Sequence, residues 1–141
     1  MNTGAAVMSA LIFVWLGMVL AISFLETPLK FRAPDVTLRI GLGIGRLIFR
    51  ALNIAEVVLA LAILITAVVD TPDAPGVIAT AVAVVVLLVQ LVAVRPGLTK
   101  RSDAVLAGLD APRSNGHWVY VGLEVVKVVA LLVAGIVLLA S

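Results

Sequence analysis

The chain has 141 residues, of which 63% are hydrophobic and 13% are charged, and its mean hydropathy is +1.26. This composition lies far outside the range of soluble domains and indicates an integral membrane protein. Because the sequence contains no cysteine, thiolate metal sites, disulfides and S-acylation are excluded.

Four long apolar runs follow one another along the chain. They cover residues of about 5–25, 47–69, 76–94 and 117–140. Each run has roughly the 20 residues that a helix needs to cross a hydrocarbon core of about 30 Å. The sequence therefore predicts one all-α domain over residues 1–141, a polytopic membrane protein built as a four-transmembrane-helix bundle, with connecting loops at 26–46 and 95–116.

The first run, AAVMSALIFVWLGMVLAISFLE, ends near Glu26 and Pro28, and Pro34 then predicts a short loop. No basic residue precedes this run, which is longer than the apolar part of a secretory signal, so we predict an uncleaved helix. Trp15, near its middle, is predicted to have a packing role. The glycines at 41–45 do not follow a strand, so they indicate close helix packing rather than a phosphate-binding loop.

The basic residues indicate how the helices are oriented in the membrane. Nine of the ten flank the first and third loops: Lys30, Arg32, Arg39, Arg46, Arg50, Arg95, Lys100, Arg101 and Arg113. By the positive-inside rule, loops 1 and 3 face the cytoplasm and both termini face outside, as expected for a multi-pass protein of the bacterial inner (plasma) membrane. Insertion and attraction to anionic lipid account for the pI of 9.5, so we predict no nucleic-acid partner.

The fourth run, although apolar, contains His117, Tyr120, Glu124 and Lys127. At about 100° per residue, the four side chains fall on one stripe about 80° wide, which we expect to face protein rather than lipid. Measured from residue 117, Glu124 lies roughly 10 Å deep and Lys127 roughly 15 Å deep. Their i, i+3 spacing allows an ion pair within the membrane.

The other helices place polar residues in the same half of the bundle. These residues are Arg46, Arg50, Asn53 and Glu56 in the second helix, Gln90 in the third helix and Glu26 at the end of the first. Together with the stripe on the fourth helix, they predict a polar cavity that opens to the cytoplasm.

Energetics favour a functional role for the deepest charges. A charge at the bilayer centre costs about 2.5 to 3.5 kcal/mol on insertion scales, whereas an intramembrane hydrogen bond contributes about 0.6 to 2 kcal/mol. We therefore predict that Glu56 and Glu124 are the functional carboxylates and that Lys127 is their counter-charge. The predicted shell of the cavity consists of Arg46, Arg50, Asn53, Gln90, His117, Tyr120 and Glu26.

Three classes of function fit this pattern. A proton- or ion-coupled carrier for a small solute, ion or lipid would alternate Glu56 and Glu124 between proton and substrate, and with only four helices it would act as a homo-oligomer. A non-catalytic accessory or structural subunit of a larger membrane complex would hold a lipid headgroup or a partner helix. An intramembrane enzyme or a metal- or haem-binding protein is a further alternative, but His117 with the two glutamates is a thin ligand set, and we predict no cofactor.

Three stretches of the chain resemble a known family. They are VWLGMVLAISFLETPLKF, RPGLTKRSDAV and VYVGLEVVKVVALLVAG, the last preceded by His117 at the start of the fourth helix. These stretches are similar to the TMEM-type DUF4149 family of small bacterial four-helix membrane proteins. The resemblance implies a membrane protein of this architecture with an undefined biochemical role.

Overall fold

The computed structural model describes residues 1–111 and 115–141, and its regular structure there is entirely helical. Four helical segments, called spans 1 to 4 below, are long and apolar enough to cross a membrane. The spans cover Thr3–Lys30, Leu38–Val69, Ala74–Leu106 and Asn115–Ala140. This confirms the predicted fold class: the chain is an all-α, multi-pass membrane protein.

Span 4 lies at the centre of the arrangement and packs against both span 1 and span 3. Span 2 packs against span 1 and against the Arg95–Leu106 part of span 3, and it touches the Ala74–Val89 part of span 3 only sparsely. Close packing is visible where span 1 meets span 4, because a methyl group placed on Gly135 would lie only 2.5 Å from the ring of Phe13. Small residues at such crossings let helices approach closely in lipid. The bundle is therefore tight around span 4 and looser around span 2.

The N-terminus is tied to the short connection between spans 2 and 3. Asn2 caps span 1 by accepting a hydrogen bond from the backbone N–H of Ala5 at 2.8 Å. Asp70 accepts from the N–H of Gly4 at 3.0 Å and from the Asn2 side chain at 3.2 Å. A carboxylate is stabilised at a helix N-terminus, where orphan N–H groups and the helix dipole meet. This end carries no basic residue, and we call the other end, with the connections after spans 1 and 3, the basic end.

Span 2 is longer than the sequence predicts. Its helix begins at Leu38 rather than near residue 47, because the Thr37 side chain caps it by accepting from the N–H of Ile40 at 3.2 Å. Most of the predicted 26–46 loop is therefore helical, and only residues 31–37 connect spans 1 and 2. The glycines of this region lie inside the helix, and a side chain on Gly41 would overlap the ring of Phe31.

Spans 1 and 3 also continue past their predicted ends. Span 1 consists of an α-helix at Thr3–Val19, a π-helix at Leu20–Glu26 and an α-helical turn at Thr27–Lys30. Span 3 consists of an α-helix at Ala74–Val89, a π-helix at Gln90–Val94 and an α-helix at Arg95–Leu106.

A proline explains each of these irregular helices. Pro28 and Pro96 each lie two residues after a π-helical segment. Proline lacks an N–H donor and its ring clashes with the carbonyl four residues earlier, and a wider turn before the ring relieves that clash. The predicted loop at 95–116 therefore starts only at Ala107, and Arg113, which was assigned to it, lies outside the described residues.

Candidate functional site

Lys127 lies at the centre of a buried polar network. Its Nζ lies 2.5 Å from Glu56 Oε2, 2.6 Å from Glu124 Oε1 and 2.9 Å from Gln90 Oε1. The ammonium donates hydrogen bonds to Glu56 and Gln90 and forms an ion pair with Glu124. The side chain of Lys127 is 0% exposed, so protein atoms replace all of the water that a lysine would normally bind.

Span 1 completes the network from the other side. The indole Nε1 of Trp15 donates to Glu56 Oε2 at 2.8 Å, and the Ser23 hydroxyl donates to Glu124 Oε2 at 2.6 Å. Gln90 also donates to Glu124 Oε1, at 3.2 Å. The network therefore takes at least one side chain from every span and holds both carboxylates in fixed positions.

The network lies near the middle of each span. At about 1.5 Å per residue, Lys127 is roughly 18 Å along the helix from Asn115 and roughly 20 Å from Ala140. Gln90 is roughly 24 Å from either end of span 3. This depth is greater than the sequence predicts for Lys127, because span 4 begins two residues before the predicted start.

The charges in the network do not balance. Glu56 and Glu124 carry two negative charges when both are ionised, and Lys127 supplies one positive charge. Among residues 1–111 and 115–141, Oε1 of Glu56 is buried and has no hydrogen-bond partner. Because an uncompensated charge is costly in a buried, low-dielectric site, a proton or a bound cation would stabilise this network.

A cavity of about 1100 Å³ extends from this network towards the basic end. Glu124 and Ser23 belong to its wall, whereas Glu56, Gln90 and Lys127 do not line it. Glu124 is therefore the charged residue of the network that a molecule in the cavity could contact directly.

The cavity is strongly basic. Five cationic side chains line it: Lys30, Arg46, Arg50, Arg95 and Arg101. Lys30 pairs with Glu26 at 3.7 Å and Arg46 pairs with Asp103 at 2.7 Å. Within the part of the chain that the structure describes, Arg50 and Arg95 form no ion pair. The lining therefore has an excess of positive charge.

Arg95 is held in place by two aromatic rings. Its guanidinium carbon lies 4.7 Å from the ring centroid of Tyr120 and 5.1 Å from that of Phe49. Its Nη2 donates a hydrogen bond to the Tyr120 hydroxyl at 3.0 Å. The two rings meet edge to face at 6.1 Å. Stacking on aromatic faces fixes the orientation of an arginine without neutralising its charge.

The residues predicted from the sequence divide into three groups. Glu56, Glu124, Lys127 and Gln90 meet in the network. Lining the cavity are Arg46, Arg50, Asn53, His117 and Tyr120. Glu26 does not line it and instead pairs with Lys30 one helical turn away.

The His117 ring meets the Trp118 ring edge to face at 5.1 Å. In the described ranges, no group of three His, Asp or Glu residues is placed to hold a metal ion, so His117, Glu56 and Glu124 are not gathered into a ligand set.

Three residues of the site were not predicted. The sequence predicts only a packing role for Trp15 and only a loop charge for Arg95, and it predicts no role for Ser23. The available signal for Ser23 was a hydroxyl in an otherwise apolar helix, which needs a partner in lipid. For Trp15 the signal was an indole N–H near the middle of a span, far from the interface where tryptophan is usually found.

No family model, curated protein or solved structure matches this chain. The geometry of the network and of the cavity therefore carries the functional argument.

Proposed function

We propose that the protein handles a small solute, ion or lipid in its cavity, as a proton- or ion-coupled carrier. The observation that carries this proposal is the pair of buried carboxylates that share one buried ammonium. A structural network would be complete with one carboxylate for one lysine. The second carboxylate creates a place for an additional positive charge, which can be gained and lost while the helices stay in position.

Lys127 provides the coupling between the two carboxylates. It contacts Glu56 and Glu124 at similar distances. When Glu124 takes a proton from the cavity, Lys127 remains as the partner of Glu56. When Glu56 takes the proton, Lys127 remains as the partner of Glu124. A ligand that changes the charge next to Glu124 therefore changes which carboxylate holds the proton, because both compete for one ammonium.

The orientation belongs to the same proposal. We place the basic end in the cytoplasm of a bacterium and both termini outside the inner membrane, because lysine and arginine gather at that end. The cavity then opens towards the cytoplasm. Four spans are few for a carrier, so the proposal includes a homo-oligomer or a partner in a membrane complex. We also propose, from the resemblance of the sequence, that the chain belongs to the DUF4149 family.

An accessory or structural subunit is the second candidate. It is favoured by the observation that the network joins all four spans, as a device that fixes helix register would do. A structural subunit would keep any extra proton or cation permanently, whereas a carrier would bind and release it.

Infrared spectroscopy of the protein in lipid nanodiscs at neutral pH tests the proposal. A carrier of this kind shows the C=O stretch of one protonated carboxyl, which shifts in deuterated water. The band should disappear in Glu56→Gln and in Glu124→Gln, because each variant leaves one carboxylate for Lys127. Glu26→Gln, which changes a carboxylate outside the network, is the matched control and should keep the band.

Dye-loaded proteoliposomes then test whether the proton moves. A panel of amino acids, sugars, inorganic cations, fatty acids and lipids is added, and the internal pH is followed. Proton movement that depends on one member of the panel and is lost in Glu124→Gln supports the carrier. A wild-type protein with neither the protonated carboxyl nor a cation retained in native mass spectrometry would overturn it in favour of the structural subunit.

A further inference from the structure

Two residues of the cavity lining on span 3 each carry a buried polar atom without a partner. Nε of Arg95 and Oγ of Ser102 are both buried, both residues line the cavity, and neither atom has a hydrogen-bond partner within residues 1–111 and 115–141. Seven residues apart, the two residues lie on the same face of the helix. Buried donors are almost always paired in native proteins, so the two atoms mark a part of the lining in which an acceptor is missing.

The charges around these two groups define the chemistry of that ligand. Arg50 and Arg95 are without a carboxylate partner among the described residues, and Arg95 is fixed by its stacking on Tyr120 and Phe49. The acidic residue found in the lining, Glu124, is already bound by Lys127 and Ser23. An acidic group such as a phosphate supplies both the missing negative charge and the missing acceptors.

The cavity also opens sideways between the helices. Leu47, Ile54 and Val58 line it, yet they are 73%, 60% and 60% exposed on span 2. In a membrane-spanning helix, exposed apolar side chains contact acyl chains rather than water. A lipid in the bilayer can therefore enter the cavity laterally.

The depths of the lining residues along span 2 determine where the headgroup and the acyl chain of a lipid would lie. Ile54 and Val58 lie one and two turns beyond Arg50, or roughly 6 and 12 Å deeper from the basic end. A lipid of the leaflet at the basic end has its acidic head at the depth of the arginines and its chain alongside these residues. The volume of about 1100 Å³ lies slightly above the roughly 300 to 1,000 Å³ of sites for drug-sized ligands.

We propose that the ligand of the cavity is an anionic phospholipid of the surrounding membrane, with its phosphate bound by Arg50, Arg95 and Ser102 and its acyl chain against Ile54 and Val58. The inference rests on the proposed function, since it names the class of molecule that the same cavity handles. A soluble anion would satisfy the arginines but would leave the apolar opening unexplained.

Native mass spectrometry of the full chain in mild detergent tests this proposal. Phosphatidylglycerol and phosphatidylcholine with identical acyl chains are titrated separately, with inorganic phosphate as a competitor. We expect phosphatidylglycerol to be retained at a concentration lower by at least about tenfold, in line with one charge-assisted hydrogen bond. Equal retention of the two lipids, or displacement of phosphatidylglycerol by phosphate alone, would overturn the lipid assignment.

Matched variants separate the cavity from the basic surface. Arg95→Gln should lose the preference for phosphatidylglycerol, whereas Lys100→Gln should keep it, because Lys100 is exposed on the same helix and does not line the cavity. Equal losses in the two variants would show attraction to the surface only and contradict the proposal.

A second pair of variants protects the test against misfolding of the arginine variant. Val58→Trp obstructs the path of the acyl chain at an exposed position, and Leu61→Trp is its control, 55% exposed on the same span and outside the cavity lining. Retention of phosphatidylglycerol should fall in the first variant only. An unaffected Val58→Trp would overturn the placement of the chain.

The result for lipid binding is independent of the result for the proton. Loss of the lipid preference together with a protonated carboxyl in the infrared spectrum would overturn the ligand class and leave the proposed function standing. Lipid retention without that carboxyl and without a bound cation would support the ligand class and overturn the coupled function.

Discussion

Lys127 supplies the positive charge of the network and contacts two carboxylates and one amide oxygen. Its substitution by methionine keeps an unbranched side chain of similar length and removes the ammonium. Breaking a buried ion pair by removing one partner costs about 3 to 5 kcal/mol, because the other charge is left uncompensated. We predict that Lys127→Met lowers thermal stability in detergent strongly, as measured by the loss of the monodisperse protein after heating.

A double variant and a variant of an exposed lysine serve as controls in the same stability assay. Lys127→Met combined with Glu56→Gln should recover part of the lost stability, because only Glu124 then remains, with Ser23 and Gln90 as donors. Lys100→Met, at an exposed position, should change stability by no more than about 0.5 kcal/mol. A Lys127→Met protein as stable as the wild type would mean that the two carboxylates hold their protons without the lysine.

At the scale of the residue, local spacing predicts part of the network. Glu124 and Lys127 are three positions apart on one helix, so their contact follows from helical geometry alone. The contact of Lys127 with Glu56 joins two helices across 71 positions, and helical periodicity does not fix which faces of two helices meet. The bond from Trp15 to Glu56 was missed for the same reason, although an indole N–H in lipid requires an acceptor.

At the scale of the element, the two π-helical segments explain why prediction of the helix ends was wrong. Proline ends most helices, so the sequence predicts that span 1 ends near Pro28, and the third apolar run likewise ends just before Pro96. In the structure each is preceded by a wider turn that lets the helix continue. The same turns contain Ser23 and Gln90, which both bind Glu124. A π-bulge changes the direction of side chains along a helix, and such bulges are frequent at functional sites.

Span 2 provides the test of whether the cavity is filled with water at its basic end. Because the chain has no cysteine, a single introduced thiol reports its own environment. Asn53 lines the cavity, and Leu61, two turns deeper on the same span, faces lipid. We predict that Asn53→Cys reacts rapidly with a membrane-impermeant thiol reagent and that Leu61→Cys does not, because the reactive thiolate forms in water and not in hydrocarbon. Equal protection of the two cysteines would show that water does not reach this depth.

At the scale of the whole molecule, the distribution of charge and the position of the cavity support one orientation. The end that carries the basic residues is the end towards which the cavity extends, and the opposite end carries Asp70 and Asp73 without a lysine or arginine. Five of the basic residues to which the positive-inside rule applies also line the cavity, so the two features share the same charges. If loops 1 and 3 face the cytoplasm, as we propose, the cavity faces it as well.

An even number of spans places both termini on the same side, so one fusion decides the orientation. A reporter enzyme that is active only outside the inner membrane, joined after Ser141, should be active, and a reporter that fluoresces only in the cytoplasm should be dark at the same position. Replacing Lys30, Arg32 and Arg39 by glutamine should weaken this preference, because these charges lie in or beside the first connection, which the proposed orientation places inside. A fluorescent fusion at Ser141 of the unaltered chain would reverse the orientation, and the lipid that reaches the arginines would then come from the outer leaflet of that membrane.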